Sequence, residues 1–105
     1  MKIKNITEDE ILFDNGKAIS YDHDQQCCEY NYADFKQLDD LARDYDFDEN
    51  LMFEDVANCG FRFGDKHQMF FVPCYSEQNG YYSSDVDIYY DGHKVLTVDG
   101  KLKDY

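Results

Sequence analysis

The 105-residue sequence has no tryptophan, a single proline and few positive charges. It also has no apolar run of the roughly 18 residues that a membrane-crossing helix requires, so the sequence predicts no such helix. Ten Lys and Arg residues stand against 23 Asp and Glu, a formal charge of −13. A chain so charged is repelled by nucleic acid and by anionic membrane, which excludes direct binding to either by electrostatic attraction. It suits a basic partner, a bound cation or a well-solvated surface. Met1 to Ile6 is too short and too polar to read as a signal peptide. The expectation is a cytosolic protein with Cys27, Cys28, Cys59 and Cys74 reduced. The sequence also lacks a glycine-rich phosphate loop, Gly-x-Ser-x-Gly, His-Glu-x-x-His and a basic aromatic patch. No motif calls for a cofactor, and the 23 carboxylates offer too many accidental pairs to single out an acid and a base.

What the chain does have is 43% apolar and 17% aromatic residues, enough for a core in one domain spanning residues 1–105. Without tryptophan, phenylalanine and tyrosine rings must fill it. Asp14-Asn15-Gly16 reads as a hairpin turn joining strands Glu10 to Phe13 and Lys17 to Tyr21, because Asn-Gly tolerates positive φ at both central positions. Val56 to Phe63 and Gln68 to Cys74 read as strands around Gly64-Asp65-Lys66. Gly60 marks a bulge or close backbone approach, and Pro73 marks an edge or strand end. Val86 to Tyr90 alternates with polar residues, and Asp91-Gly92 turns it into His93 to Val98. Tyr89 and Tyr90 must then point to opposite faces. Ser76 to Ser84 reads as a polar loop and Lys101 to Tyr105 as a frayed tail.

Between these groups lies the one helical pattern. Tyr32, Phe35, Leu38, Leu41, Ala42 and Tyr45 recur at spacings of three and four. The spacing predicts a helix from Ala33 to Asp44, with Asn31 as N-cap and an acidic outer face. The expected fold is therefore α+β: an antiparallel sheet of about five to six strands with one main helix packed on one face.

Chemistry concentrates in the same region. From Asp22 to Asp55 the sequence has twelve acidic residues and only Lys36 and Arg43 as basic ones, so −10 of the −13 falls in this third of the chain. Such self-repulsion destabilises a fold unless something offsets it. A basic groove built for nucleic acid would do so, with carboxylates in place of phosphates. The blander reading is a solvated face. The candidate partner-binding residues are Asp34, Asp39, Asp40, Asp44, Asp46, Asp48 and Glu49, together with Tyr81 and Tyr82 in a polar loop. Tyr30, Tyr32, Tyr75, Tyr89 and Tyr90 complete a tyrosine set of the kind that anchors protein interfaces.

Asp44 to Asp55 also has acids at positions 1, 3, 5 and 12 of a calcium loop. Glu49, however, stands where that loop needs glycine. His23, Cys27 and Cys28 are close enough to form a metal site or an activated thiol. Against this, adjacent cysteines rarely share one metal, and surrounding carboxylates raise a thiol pKa. Cys59 and Cys74 read as core or near-core, and His67 and His93 as solvated.

Two stretches resemble a known family. His23 to Phe35, with its His, Cys-Cys-Glu and following Tyr and Asp, resembles a signature of small uncharacterised bacteriophage and prophage proteins. Asn79-Gly80-Tyr81-Tyr82-Ser83, followed by a strand, is similar to a second element of that family. The resemblance implies a phage source and carries no activity. Charge and resemblance together give the expectation of a binding protein without a catalytic role. It would inhibit a host defence enzyme by nucleic-acid mimicry, as anti-CRISPR proteins do, with a basic host protein as partner. The alternatives are a metal-binding or cysteine-dependent module at His23, Cys27 and Cys28, and an accessory domain that is acidic for solubility.

Overall fold

Short apolar runs, each ended by a polar turn, dominate the architecture. The computed structural model describes residues 1–22, 30–78 and 83–103. Among them are ten strands: β1 (Ile3–Ile6), β2 (Glu10–Phe13), β3 (Ala18–Asp22), β4 (Tyr30–Ala33), β5 (Met52–Val56), β6 (Gly60–Gly64), β7 (Met69–Glu77), β8 (Asp85–Tyr90), β9 (His93–Asp99) and β10 (Lys101–Lys103). One sheet runs β1-β2-β3-β8-β9. The other runs β10-β7-β6-β5, with β4 also paired to β7. All pairings are antiparallel except β10 with β7.

Alternation explains the core. Ile11, Phe13, Ile19, Val86, Ile88 and Val98 from the first sheet are buried, as are Phe61, Phe63, Phe70, Val72 and Cys74 from the second. Phe47, on the connection between β4 and β5, fills the centre. Its ring lies 5.6 Å from Phe13, 5.5 Å from Phe63 and 5.6 Å from Phe70. The rings of Phe13 and Phe70 meet it edge-to-face and that of Phe63 stacks on it, and ring pairs of this kind add to burial.

The α+β expectation is overturned: this is a two-sheet β fold, and among the described residues no main helix packs on it. Residues 33–44 instead form the end of β4 and two 3₁₀ turns, Phe35–Gln37 and Asp40–Asp44. Two local effects account for this. Asp39 accepts a hydrogen bond from the Leu41 amide at 3.0 Å, capping a new turn and breaking the first; Leu38 (ψ 138°) and Asp39 (ψ 133°) are extended between them. Aspartate competes with helix by such local bonding. In addition, Tyr30-Asn31-Tyr32-Ala33 has strand periodicity, with Asn31 and Ala33 buried. Asn31 is therefore a core strand residue and caps no helix.

Other boundaries differ as well. The long strand expected from Val56 to Phe63 is broken by a turn at Ala57 to Cys59, leaving β5 and β6 as a hairpin. Pro73 lies inside β7, where its missing N–H is harmless because the ladder with β4 stops at the Ala33–Cys74 pair. Residues 101–103 are not frayed: after Gly100 the chain passes to the second sheet and adds β10 beside β7. The Asp91-Gly92 turn forms as read, with both residues at positive φ. A bulge at Ile88/Tyr89 leaves Tyr89 and Tyr90 both half-buried. Among the described residues, no helix is long and apolar enough to cross a membrane.

Candidate functional site

The connection from β4 to β5 carries the acidic candidates. Phe35, Leu38, Ala42 and Phe47 point into the core and pin this segment at intervals. The residues between them are turned outward. Asp39, Asp40, Asp44, Asp46, Asp48 and Glu49 are exposed, and Asp34 is half-buried. They share one continuous stretch of surface chain, supported by apolar anchors in place of the expected helix face.

Their partners differ. The Asp34 carboxylate accepts from Gln37 Nε2 at 2.7 Å. Asp39 caps the second turn, and Asp48 accepts from the Asn50 amide at 3.0 Å. Asp40 faces Arg43 Nε at 3.7 Å, with its side chain 98% exposed. Asp46 binds the Met1 amino group at 2.8 Å, and that hydrogen bond holds its pKa below the ordinary carboxylate value. Among the described residues, Asp39, Asp44, Asp48 and Glu49 have no cationic partner within 4.0 Å. Lys36, the other cation of the region, reaches Glu8 at 4.0 Å.

One exposed apolar side chain sits in this stretch. Leu41 is 73% exposed, although its sequence spacing places it on the same stripe as buried Phe35 and Leu38. It flanks a cleft of about 330 Å³ lined by Leu41, Asp44, Tyr45, Gln68 and Phe70. The Tyr45 hydroxyl is already committed, donating to Asp65 at 2.8 Å, so the cleft meets its ring more than its polar end.

Tyr81 and Tyr82 lie outside the described residues. The chain on either side of them is held by a buried polar network. Asn31 Nδ2 donates to the Ser83 carbonyl at 2.7 Å, Ser76 Oγ donates to Asn31 Oδ1 at 2.5 Å, and Gln78 Nε2 donates to Ser76 Oγ at 2.5 Å. A satisfied network of this kind fixes register between strands. Sequence reasoning missed it because Asn31 reads as a helix N-cap and Ser76 and Gln78 as part of a polar loop.

Of the other tyrosines, Tyr30, Tyr32 and Tyr75 gather on the outer side of β4 and β7. Tyr30 stacks on Tyr32 at 4.6 Å, and Lys103 Nζ sits 4.0 Å from the Tyr75 ring centre. Lys103 also donates to Tyr32 Oη at 3.3 Å. This cluster ties β10 to the sheet and leaves Tyr30 49% exposed.

The metal and cysteine candidates His23, Cys27 and Cys28 lie outside the described residues, as does Glu29. Cys59 is exposed on a turn rather than core, while Cys74 is fully buried. Burial pushes the Cys74 thiol up to about 12, which suits a packing role and not a nucleophile. The calcium-loop pattern does not assemble: Asp46 is bound to Met1, Asp48 caps Asn50, and Asp55 lies on β5 opposite Phe61. No group of three or more His, Cys, Asp or Glu placed to hold a metal occurs among the described residues. His67 and His93 are exposed.

Acidity has a cost elsewhere. Asp85 and Asp99 are directly cross-strand in β8 and β9. Asp99 is raised above its ordinary pKa, first by a hydrogen bond with Asp85, then by burial and by the charges of Asp85 and Asp55. A carboxyl raised on folding stabilises the protein when protonated, and that contribution is lost as pH rises through the raised value. Asp99→Asn is therefore expected to stabilise at pH 7 by a few tenths to about 1 kcal/mol, the scale of a like-charge cross-strand pair. The gain should shrink as the pH falls through that raised value and be gone once it reaches the ordinary carboxylate value of 3.8. Thermal unfolding across that range checks this; a gain independent of pH would show that charge is not its cause.

Comparison with protein-family models, curated proteins and solved structures finds no match to this chain.

Proposed function

We propose that this protein is a small acidic binding protein. It presents the 34–50 segment to a basic partner and occupies a site that the partner uses for nucleic acid. The observation that carries the reading is the run of exposed carboxylates at Asp39, Asp40, Asp44, Asp48 and Glu49, of which only Asp40 has a cation within reach among the described residues. Unpaired negative charge on a rigidly anchored segment costs stability without a counter-surface. It is fully used when a cationic groove covers it. Association would be fast and would weaken with salt, because exposed charges are screened beyond about 8 Å at physiological ionic strength. The resemblance of His23 to Phe35 to phage and prophage proteins points the choice of partner toward a host defence enzyme in the host cytoplasm, inhibited by mimicry of its nucleic acid.

The test is affinity capture from host lysate at low and high salt, with the wild-type chain and with Asp39→Lys/Asp40→Lys/Asp44→Lys. The expected result is a basic nucleic-acid-binding protein, held at low salt, released at high salt and displaced by competing nucleic acid. Replacing three like charges should weaken that capture by at least roughly tenfold, each charge being worth several tenths of a kcal/mol or more at a complementary surface. Recovery of no basic or nucleic-acid-binding protein at either salt, or equal capture by the triple variant, overturns the reading.

A further inference from the structure

The acidic segment is not a purely electrostatic surface. We infer that the cleft beside Leu41 is a side-chain pocket that receives an arginine from the basic partner, an inference that rests on the binding role proposed above. Four observations favour that occupant. The cleft, about 330 Å³, is large enough to take one long side chain. Its apolar wall is built from Leu41 and the Tyr45 and Phe70 rings, whose centres lie 5.5 Å apart at an angle of 64°. Asp44 stands at its lining, with no cation within 4.0 Å among the described residues. The Tyr45 hydroxyl is satisfied by Asp65, so the pocket does not demand a hydrogen-bonding ligand deep inside.

Arginine matches each element. Its aliphatic stem packs along apolar surface while the charged head stays near solvent. Its planar guanidinium lies on aromatic faces and pairs with a carboxylate through two parallel bonds. A lysine offers the charge without the planar fork, and an uncharged apolar side chain leaves Asp44 unmatched. Leu41 then acts as the raised lip of the pocket. Its exposure is imposed by the Asp39 cap, which starts a new turn and directs Leu41 outward while Ala42 takes the buried position. The site thus combines a long-range charge field that steers a basic surface with one short-range pocket that chooses among its cations.

The probe is a pair of twelve-residue peptides, one of arginine and one of lysine, titrated into the full chain by calorimetry at low and physiological salt. Aromatic and methyl NMR shifts are followed in the same titrations. The inference expects the arginine peptide to bind several-fold tighter than the lysine peptide, with the resonances of Leu41, Tyr45 and Phe70 moving on binding. It also expects Leu41→Ala to lower affinity for the arginine peptide by roughly 5- to 10-fold, the scale of a buried interface anchor. Leu41 is mostly exposed, so this variant keeps the core intact. Equal affinity for the two peptides, with no effect of Leu41→Ala, overturns the pocket. If Asp39→Lys/Asp40→Lys/Asp44→Lys still abolishes binding in that case, the charged surface stands without it. If the triple reversal also leaves affinity unchanged, both fall.

Discussion

Gly64→Ala is expected to destabilise the protein by about 3–5 kcal/mol, and Gly60→Ala by a similar amount, whereas Gly16→Ala should cost only about 1 kcal/mol. All three glycines have positive φ, at 157°, 149° and 87°. They differ in what a methyl group would meet. A Cβ on Gly64 falls 2.0 Å from the Gln68 carbonyl oxygen, and one on Gly60 falls 2.2 Å from that of Val72. Gly16 has nothing within 4 Å. The obstructing atoms are backbone, so no rotamer change relieves the overlap; β6 must move away from β7. That displacement adds roughly 1–3 kcal/mol of packing strain to roughly 1–3 kcal/mol of backbone strain. Domains of this size have a total stability of about 5–15 kcal/mol, so the melting temperature should fall by more than about 15 °C. Denaturant unfolding of the three variants side by side decides the point. If Gly64→Ala is no worse than Gly16→Ala, the β6–β7 backbone approach is looser than the structure shows.

Punctuation of this kind was the most legible part of the sequence. Asn15-Gly16, Gly64-Asp65 and Asp91-Gly92 each mark a turn whose backbone demands a particular residue, and the flanking strands follow. Gly60 was also readable as a close approach. The helical spacing misleads because a repeat of three serves a 3₁₀ turn as well as an α-helical stripe: Phe35, Leu38 and Leu41 fit either until Asp39 is seen to cap. Strand β4 was hidden because its buried residues are Asn31 and Ala33 and its outward ones are tyrosines, inverting the usual code. Strand β10 depends on parallel pairing with β7, a contact no local pattern carries. In the site, the acids could be counted from sequence, but the outward turn of Leu41 and the cleft behind it arise only when Tyr45 and Phe70 are brought together from distant segments.

The second large effect is expected at Asp65. Asp65→Ala should lower stability by about 3–4 kcal/mol at pH 7, since hydrogen bonds to a charged acceptor contribute about 1.5–3 kcal/mol each and water recovers part of the loss at this turn. Asp65 is buried, and its carboxylate gathers four donors: the Tyr45 hydroxyl at 2.8 Å and the amides of His67 at 2.9 Å, Gln68 at 3.1 Å and Asp48 at 3.3 Å. It therefore shapes the β6–β7 turn and ties the acidic segment to it. Burial alone would raise its pKa. The donors from His67, Tyr45, Asp48 and Gln68 outweigh that and hold it at about 2, below the ordinary 3.8. A carboxyl lowered on folding contributes stability that is complete above the unfolded-state value and drains away as pH falls through the folded one. The stability gap between wild type and Asp65→Ala should thus be constant from neutrality to about pH 5 and close progressively between about pH 4 and pH 2. Urea unfolding at a series of pH values measures it, and a gap unchanged at pH 2 would mean that the carboxylate charge is not what holds the turn. The same variant bears on binding. With Asp65 gone, Tyr45 loses the bond that fixes its ring beside Leu41, so selectivity for arginine over lysine should fall even where the chain remains folded. A structural defect remote from the cleft would weaken both peptides alike.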